Sequence, residues 1–351
     1  MGCLYGSEVP RRGNFHVSCG DSLDEGVTGV IASVLTLLTG AAGSGGFKGL
    51  AGQHSRRNLL AFGQGGGGTF TFRRLDDGSA VTLSLDLSSV PPDPRMGGDI
   101  PVLMHGTTLH GAQARHPDFA CAPTMYYARA TPLGQAAEMI QARGPGAVIG
   151  VVGQGSGAMA AYKRASDQMS FFEIDPMVDR LSRDPKWFTF ISDCADGPVR
   201  TVLGDARLTL NKETPGSYDL LVIDAFSSDA VPTHLLTREA IEGYLKLLKP
   251  TGVVVLHLSN RNLDITLPAV AAARELGAAE LHQVYAEHPQ AALMAEASTE
   301  ALAISPTEEG LADFKADGRW RKLAPTEVRP WTDDYVNLFD ALIRSIKARP
   351  R

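Results

Sequence analysis

Short apolar runs alternate with amphipathic stretches from residue 147 to residue 258, directly after the breaker sequence Gly144-Pro145-Gly146. Such uninterrupted runs are typical of strands that are buried on both faces of a parallel sheet. Before the last run, apolar residues recur at helical spacing and end in Lys-Pro-Thr-Gly, which predicts an amphipathic helix over about 238–248. The predicted strands are 147–152, 169–172, 201–203, 220–223 and 253–258.

This alternation of strands and helices predicts an α/β fold. Consecutive parallel strands are joined by helices that cross the sheet in a right-handed sense, so helices come to cover both faces. The expected architecture is therefore a doubly wound, mostly parallel sheet.

The first hundred residues follow a different pattern. Segments 69–75 and 80–87 alternate polar and apolar residues around Asp-Asp-Gly, which predicts a β hairpin in a small, partly β N-terminal domain. The glycine run at 63–68 has no helical pattern behind it and is interpreted as a flexible connection. Residues 26–47 carry no charge. We interpret them as a buried helix, with a membrane-edge or membrane-spanning segment as the alternative.

Composition and charge narrow the class of protein. Of 351 residues, 44% are hydrophobic and 21% are charged, which is enough apolar material for a globular protein of two domains. Lys and Arg total 33 and Asp and Glu total 39, a formal net charge of −6. A protein that binds nucleic acid through its phosphates needs a basic face, so this balance argues against nucleic acid and suits a small cationic substrate.

The four cysteines, Cys3, Cys19, Cys121 and Cys194, lie far apart and form no CxxC pair. This spacing argues against a disulfide scaffold and a zinc ribbon, and it favours a reducing compartment. The chain also opens without a signal-peptide pattern. We therefore predict a cytoplasmic protein, with residues 26–47 as the candidate for association with a membrane edge.

Glycines or a carboxylate follow each of the first four predicted strands. The first strand ends in the glycine turn 153–157, and the next three end in Glu173, Asp205 and Asp224. Because ligands of open α/β sheets bind outside the carboxyl ends of the strands, these residues predict one binding site.

The same residues indicate a ligand that contains a nucleoside. Gly153 and Gly155 permit a tight turn and a close approach of the ligand to the backbone. Glu173 lies about 20 residues beyond them, where an acidic side chain meets ribose hydroxyls. The turn also satisfies the dinucleotide pattern, so NAD is an alternative. Gly157 and the sequence Gly204-Asp205-Ala206 favour an adenosyl-sulfonium cofactor.

Several longer pieces of the sequence resemble the spermidine synthase family of aminopropyltransferases. More narrowly, they resemble the bacterial spermidine-synthase-like domains that are fused to membrane segments. The pieces extend over roughly two thirds of the chain. They are LMHGTTLHGAQ (103–113), MYYARATPLG (125–134), VVGQGSG (151–157), FFEIDP (171–176), VLGDARL (202–208), YDLLVIDAFSSDAVP (218–232), LKPTGVVVLHLSN (248–260) and PWTDDY (330–335).

The resemblance implies a fold, a division of the chain and an assembly. The fold would be of the Rossmann-like type found in class I methyltransferases that use S-adenosylmethionine (SAM). Residues 1–100 would form the N-terminal region, 101–135 a β-rich segment, and 136–351 the nucleotide-binding catalytic domain. A homodimer that acts on a small-molecule amine is implied as well.

Site residues follow by the same resemblance. Asp224 occupies the position of the catalytic aspartate. Asp229 matches a second aspartate if two extra loop residues are accepted, and Tyr126 matches the tyrosine of a Tyr-His-Glu motif. Gln113 and Glu173 correspond to ligands of the ribose and of the methionine-derived part of the cofactor, and Asp205 to a ligand of the adenine. The other cofactor-binding residues are Gly153, Gly155, Ser156, Gly157 and Ala206.

Aminopropyl transfer explains why carboxylates are needed at this site. The amine attacks the carbon beside a sulfonium in line, but an alkylammonium, with a reference pKa of about 10.4, first has to lose a proton. A nearby carboxylate can orient the amine and accept that proton. We expect decarboxylated SAM or intact SAM as the co-substrate, and no metal.

Three features depart from the polyamine synthases. Ser156 stands where their glycine loop carries an aspartate that meets the amine of decarboxylated SAM. Tyr127 and Ala128 replace the rest of the Tyr-His-Glu motif, and the loop 224–229 is longer. Without the loop aspartate, the carboxylate of intact SAM is no longer repelled. A SAM-dependent methyltransferase on the same fold is therefore one alternative, and a nucleotide-binding module without catalysis is another.

The histidines add candidates outside these motifs. His105 and His110 flank Gly-Thr-Thr, but no third ligand has suitable spacing for a metal, which favours structural or substrate-contact roles. His257 lies in an apolar strand and is interpreted as a core histidine, and His234 is an alternative base. Trp331 and the aspartate pair at 333–334 are expected to anchor the C-terminal segment.

Overall fold

The computed structural model describes residues 100–105, 108–224, 232–260, 262–292 and 294–348, with the backbone alone at 104, 105, 108 and 348. It also describes the backbone of three earlier strands at 59–62, 68–73 and 80–85. The apolar segment 26–47, Cys3, Cys19 and Asp229 lie outside the described residues.

Short antiparallel strands precede the main sheet. They are β1 (Leu59–Phe62), β2 (Gly68–Arg73), β3 (Ala80–Leu85), β4 (Val102–His105) and β5 (Thr108–Ala112). β2 and β3 pair with Arg73 opposite Ala80, which confirms the antiparallel strands of the predicted hairpin. β1, β4 and β5 form a separate antiparallel sheet in that order.

A seven-stranded sheet lies at the centre of the described residues. Its strands are β6 (Val148–Val152), β7 (Gln168–Glu173), β8 (Arg200–Leu203), β9 (Tyr218–Ile223), β10 (Leu248–His257), β11 (Ala279–Tyr285) and β12 (Thr299–Ser305). Their order is β11-β12-β10-β9-β6-β7-β8. β6 to β10 run parallel, whereas β12 is antiparallel to both β10 and β11. The predicted α/β fold with a mostly parallel, doubly wound sheet is confirmed.

Helices connect the strands and cover both faces of the sheet. They are α1 (Pro132–Ala142), α2 (Pro176–Arg183), α3 (Ala206–Leu210), α4 (Arg238–Leu247), α5 (Thr266–Glu275), α6 (Ala312–Asp317) and α7 (Leu338–Ala348). Within the described ranges, no helix is long and apolar enough to cross a membrane.

Alternate residues of each central strand enter opposite cores. Along β9, Leu220 and Val222 pack in the core that contains α1, and Leu221 and Ile223 pack in the core that contains α4 and α5. All four side chains are at most 3% exposed. Burying a side chain of this size contributes about 1.5–3 kcal/mol. An uninterrupted apolar strand is therefore required because both of its faces are covered.

Most strand bounds differ from the sequence prediction, and two of the differences change the position of a helix end or of a carboxylate. β10 begins at Leu248, so the helix predicted over 238–248 ends one residue earlier, at Leu247. β7 includes Glu173, which places this carboxylate on the last residue of the strand. β11 and β12 are additional to the predicted strands.

The C-terminal segment is anchored as expected. Trp331 is 1% exposed, and its backbone carbonyl accepts a hydrogen bond from the backbone N–H of Arg238 at 2.8 Å. Asp333 supplies the carboxylate contacts, because it accepts from the hydroxyl of Thr237 at 2.8 Å and from Arg207 Nη2 at 2.8 Å.

Cys121 and Cys194 form a disulfide across a sequence separation of 73 residues. This pairing corrects the expectation, drawn from cysteine spacing, of a chain without a disulfide framework. The spacing carried no sign of it because the loop after β5 and the turn at Phe190–Cys194 approach each other only in the folded chain.

Candidate active site

The glycine turn after β6 is the first part of the site. Gly153, Gly155 and Gly157 have φ angles of 88°, 52° and 83°, a left-handed region that side chains disfavour. A Cβ on Gly155 would collide with the carbonyl oxygen of His110. That oxygen accepts a hydrogen bond from the backbone N–H of Ser156 at 3.2 Å. The turn is therefore held against the end of β5 and has no room for a side chain at Gly155.

Substituting Gly155 with alanine tests whether this close approach shapes the site. We expect a loss of about 2 kcal/mol in the free energy of unfolding, because backbone strain and the collision with His110 add. Gly216→Ala is the matched control: its φ is 65° and nothing lies within 4 Å of an added Cβ. The control should cost only about 1 kcal/mol. If urea titrations show the same loss of unfolding free energy in both variants, backbone strain alone destabilises Gly155→Ala and the collision with His110 does not.

Glu173 is the carboxylate at the end of β7. Its side chain is buried, at 6% exposure, and its two oxygens accept from the backbone N–H groups of Gln154 and Asp175, both at 2.9 Å. Burial raises the pKa of Glu173 above its usual value, while these hydrogen bonds oppose the shift. The backbone carbonyl of Glu173 accepts from Gly204, which brings the end of β8 alongside.

Asp205 follows β8 and caps α3, because its carboxylate accepts from the backbone N–H of Arg207 at 2.7 Å. The second oxygen lies 3.5 Å from His234 Nε2. Ala206 is buried behind it. Asp205 is itself half-buried, so this strand end presents an accessible carboxylate.

Exposed apolar side chains lie close to these two carboxylates along the chain. Ile174 is 69% exposed, Leu203 is 51% exposed and Leu208 is 63% exposed. Each is within three residues of Glu173 or Asp205 along the chain. Large exposed apolar groups beside convergent polar groups are typical of small-molecule sites.

Asp224 follows β9 and lies between a tyrosine and a histidine. Oδ2 accepts from the hydroxyl of Tyr127, and Oδ1 lies 2.6 Å from His257 Nδ1. The side chains of Asp224 and His257 are each 7% exposed. Burial raises the pKa of Tyr127 well above its usual value, and the charge of Asp224 adds to the shift. Tyr127 is therefore a neutral donor to the carboxylate.

Tyr126 stacks in the same cluster without bonding to Asp224. Its ring centroid lies 4.7 Å from that of Tyr127 and 4.9 Å from that of His257. Its hydroxyl donates to the backbone carbonyl of Leu109 at 3.3 Å. The motif comparison selects Tyr126, whereas the hydroxyl that reaches the carboxylate belongs to Tyr127. Because two tyrosines are adjacent in the sequence, Tyr127 could have been considered as the partner of Asp224 from the sequence alone.

Gln113 is buried, at 2% exposure, and forms hydrogen bonds with two separate segments of the chain. Its Nε2 donates to the carbonyl of Ala120 at 2.7 Å and to the hydroxyl of Thr189 at 2.9 Å, and its Oε1 accepts from the Thr189 N–H at 2.7 Å. The disulfide joins the same two segments a few residues further on. In this structure Gln113 therefore holds the segment at Ala120 against the segment at Thr189.

Ser156 is 1% exposed, and its hydroxyl has no hydrogen-bond partner among the described residues. Gly111 lies opposite, and a Cβ there would collide with this hydroxyl. Within the same ranges, no group of three His, Cys, Asp or Glu side chains could hold a metal ion.

The known proteins to which this chain is similar include a polyamine aminopropyltransferase and spermidine synthases. No family model matches the chain. A curated polyamine aminopropyltransferase from Vibrio vulnificus (strain CMCP6) is 30% identical over 110 residues, which are 31% of this chain and 35% of that protein. The match thus spans about a third of the length of the curated relative. This relative confirms the resemblance to the spermidine synthase family, while the fusion to membrane segments stays a prediction.

Solved structures with a similar fold include two spermidine synthases. One is a probable spermidine synthase from Corynebacterium glutamicum ATCC 13032, with a TM-score of 0.47, 20% identity, and coverage of 72% of this chain and 88% of that chain. The other is the spermidine synthase from Thermotoga maritima, with a TM-score of 0.43, 15% identity, and coverage of 80% and 84%.

Proposed function

We propose that this chain is a transferase that binds an adenosyl-sulfonium co-substrate and moves its aminopropyl group to a small amine. The observation that carries the proposal is the placement of Glu173, Asp205 and Asp224. Glu173 ends β7, and Asp205 and Asp224 follow β8 and β9. These strands run parallel to β6 in the order β9-β6-β7-β8, so their carboxyl ends share one edge with the glycine turn. Ligands of such sheets bind at this edge.

The residues at this edge suit the parts of an adenosyl ligand. The Glu173 carboxylate can accept from ribose hydroxyls, and Asp205 can accept from the adenine amino group. Ile174 and Leu208 offer apolar surface for a flat ring. The glycine turn carries no side chain at Gly153 or Gly155, which permits a ligand on its other side to approach the backbone closely.

Asp224 is the residue to which we assign proton transfer. In the proposed reaction the amine loses a proton to the Asp224 carboxylate, its nitrogen forms a bond to carbon, and the carbon–sulfur bond breaks. The sulfonium supplies a neutral thioether as the leaving group. Tyr127 and His257 hold the carboxylate in one orientation, and a positioned base of this kind contributes about 10²–10⁴-fold to a rate. The role of Asp229 as a second carboxylate stays a prediction.

Methyl transfer from intact SAM is the second candidate function. Ser156 favours it, because its neutral hydroxyl stands in the turn where a carboxylate would repel the carboxylate of SAM. The two reactions use the same edge of the sheet and differ in which carbon beside the sulfur is attacked.

Calorimetric titration with decarboxylated SAM, intact SAM and NAD tests the proposal. We expect decarboxylated SAM to bind, and its incubation with small diamines to release 5′-methylthioadenosine. Tighter binding of intact SAM with release of S-adenosylhomocysteine would establish the second candidate instead. Binding of NAD alone would contradict both.

Replacing Glu173 with alanine should weaken adenosyl binding roughly tenfold, about 1.4 kcal/mol, because a charge-assisted hydrogen bond is lost. Since burial raises the pKa of Glu173, wild-type affinity should also decline as the pH falls and the carboxylate becomes protonated. Glu173→Gln keeps the shape of the side chain without its charge, so the affinity of this variant for the adenosyl ligand should stay constant over the pH range in which the wild-type affinity declines. An unchanged affinity of Glu173→Ala in calorimetry would mean that the ligand lies elsewhere.

The remaining expectations are a homodimer, a cytoplasmic location and a small-molecule amine as acceptor. Analytical ultracentrifugation of the purified chain tests the first of these. A monomer at micromolar concentration would contradict it.

A further inference from the structure

We infer that His257 is a positioning residue for Asp224 and that Ser259 fixes the tautomer in which His257 acts. The inference rests on the proposed function, because it concerns the proton acceptor of that reaction. It changes the interpretation of His257 from a core histidine to part of the catalytic machinery.

A continuous chain of hydrogen bonds links Asp224 to the backbone of strand β12. His257 Nδ1 lies 2.6 Å from Asp224 Oδ1, and His257 Nε2 lies 2.8 Å from the hydroxyl oxygen of Ser259. That oxygen accepts from the backbone N–H of Glu300 at 2.9 Å. The chain therefore runs from the end of β9 through β10 to β12, and its last member is fixed by the backbone.

The partners of the two ring nitrogens decide the tautomer. An ionised carboxylate only accepts hydrogen bonds, so the nitrogen facing Asp224 has to carry a proton. The Ser259 oxygen already accepts from Glu300, and its own hydroxyl proton is available to donate to Nε2. A neutral imidazole protonated at Nδ1 then satisfies every group in the chain.

This arrangement fixes the orientation of the Asp224 carboxylate. Tyr127 donates to one oxygen and His257 to the other, and each oxygen retains a lone pair for a substrate amine. Because the carboxylate is buried, rotation about its side chain would leave a donor without its partner, which costs about 1–3 kcal/mol. His257 therefore acts through Asp224 and need not touch the substrate.

Two substitutions separate positioning from packing, because the variant that keeps a donor is the one that loses more volume. In His257→Asn, the amide nitrogen can take the place of Nδ1 and donate to Asp224, whereas His257→Leu removes the donor. We expect kcat of His257→Leu to fall about fiftyfold and kcat of His257→Asn to fall less than about tenfold, with co-substrate affinity unchanged in both. Equal losses in the two variants would overturn the inference.

A double-mutant cycle tests whether His257 acts through Asp224. When His257→Leu is added to Asp224→Asn, the second substitution should cost less than about threefold in residual turnover, because residues that act as one unit are not additive. A full fiftyfold loss in that background would show that His257 acts independently of Asp224.

The tautomer can be measured without any turnover. ¹⁵N NMR of labelled wild-type protein should show His257 protonated at Nδ1 and unprotonated at Nε2, and Ser259→Ala should disturb this preference. Ser259→Thr, which retains a hydroxyl, should preserve it. Nε2 protonation in the wild-type protein would overturn the inference even if the transferase is active. A wild-type protein with the expected tautomer but no turnover would instead overturn the proposed function.

Discussion

Replacing Asp224 with asparagine is expected to lower turnover about a thousandfold and to leave co-substrate affinity within about twofold. The amide has the shape of the carboxylate but cannot accept the proton that the amine must lose. The hydroxyl of Tyr127 donates to one oxygen of Asp224 and His257 Nδ1 lies 2.6 Å from the other, so the carboxylate is held in a defined position. The measurement is release of 5′-methylthioadenosine by the purified variant, with calorimetry for affinity.

Asp219→Asn is the matched control for this experiment. Asp219 lies at the amino end of the same strand, where it accepts from Val148 N–H at 2.8 Å and from Lys249 Nζ at 2.6 Å. Its loss should reduce stability but not turnover, because it is far from the carboxyl edge. Unchanged turnover in Asp224→Asn would remove Asp224 from the catalytic role. A wild-type protein that binds the co-substrate but never turns over would favour the non-catalytic module.

Removing the disulfide should have the largest effect on stability. In the Cys121→Ser/Cys194→Ser double variant, we expect the free energy of unfolding to fall by about 2–4 kcal/mol. The bond closes a loop across a separation of 73 residues, so its loss returns conformational freedom to the unfolded chain. Urea titration of the oxidised wild-type protein and of the variant measures the difference.

Reductant provides the control for the disulfide. The wild-type protein should lose the same free energy when it is reduced, whereas the double variant should not respond. A wild-type protein that is insensitive to reductant would show that the bond does not form in solution or adds nothing to stability.

The disulfide also bears on the site, because it lies beside the Gln113 contacts. Gln113 holds Ala120 to Thr189, and the disulfide between Cys121 and Cys194 joins the same two segments a few residues further on. Ile191 belongs to the second segment, and a Cβ added at Gly157 would meet its side chain. We therefore expect the reduced protein to bind the co-substrate less tightly than the oxidised protein in calorimetry.

The sequence alone was sufficient for the five parallel strands β6 to β10, and for the carboxylates at their ends, but not for β11 and β12. Strands buried on both faces need uninterrupted apolar runs, and this local requirement identified β6 to β10 along the chain. The positions of Glu173, Asp205 and Asp224 follow directly, because each ends or follows a strand whose direction is set by parallel pairing. The fold class and the predicted location of the site are thus encoded in short segments that can be interpreted one at a time.

Only the tertiary structure decided which side chains meet at Asp224. Tyr126 and Tyr127 are neighbours in the sequence, and the turn at Met125–Tyr127 determines that the hydroxyl of Tyr127 reaches the carboxylate. His257 looks like a core residue until β10 is placed beside β9, and Cys121 finds Cys194 only when two loops pack together. These contacts join residues that are far apart in the sequence, and no local pattern encodes them because their energies arise only after the chain has folded.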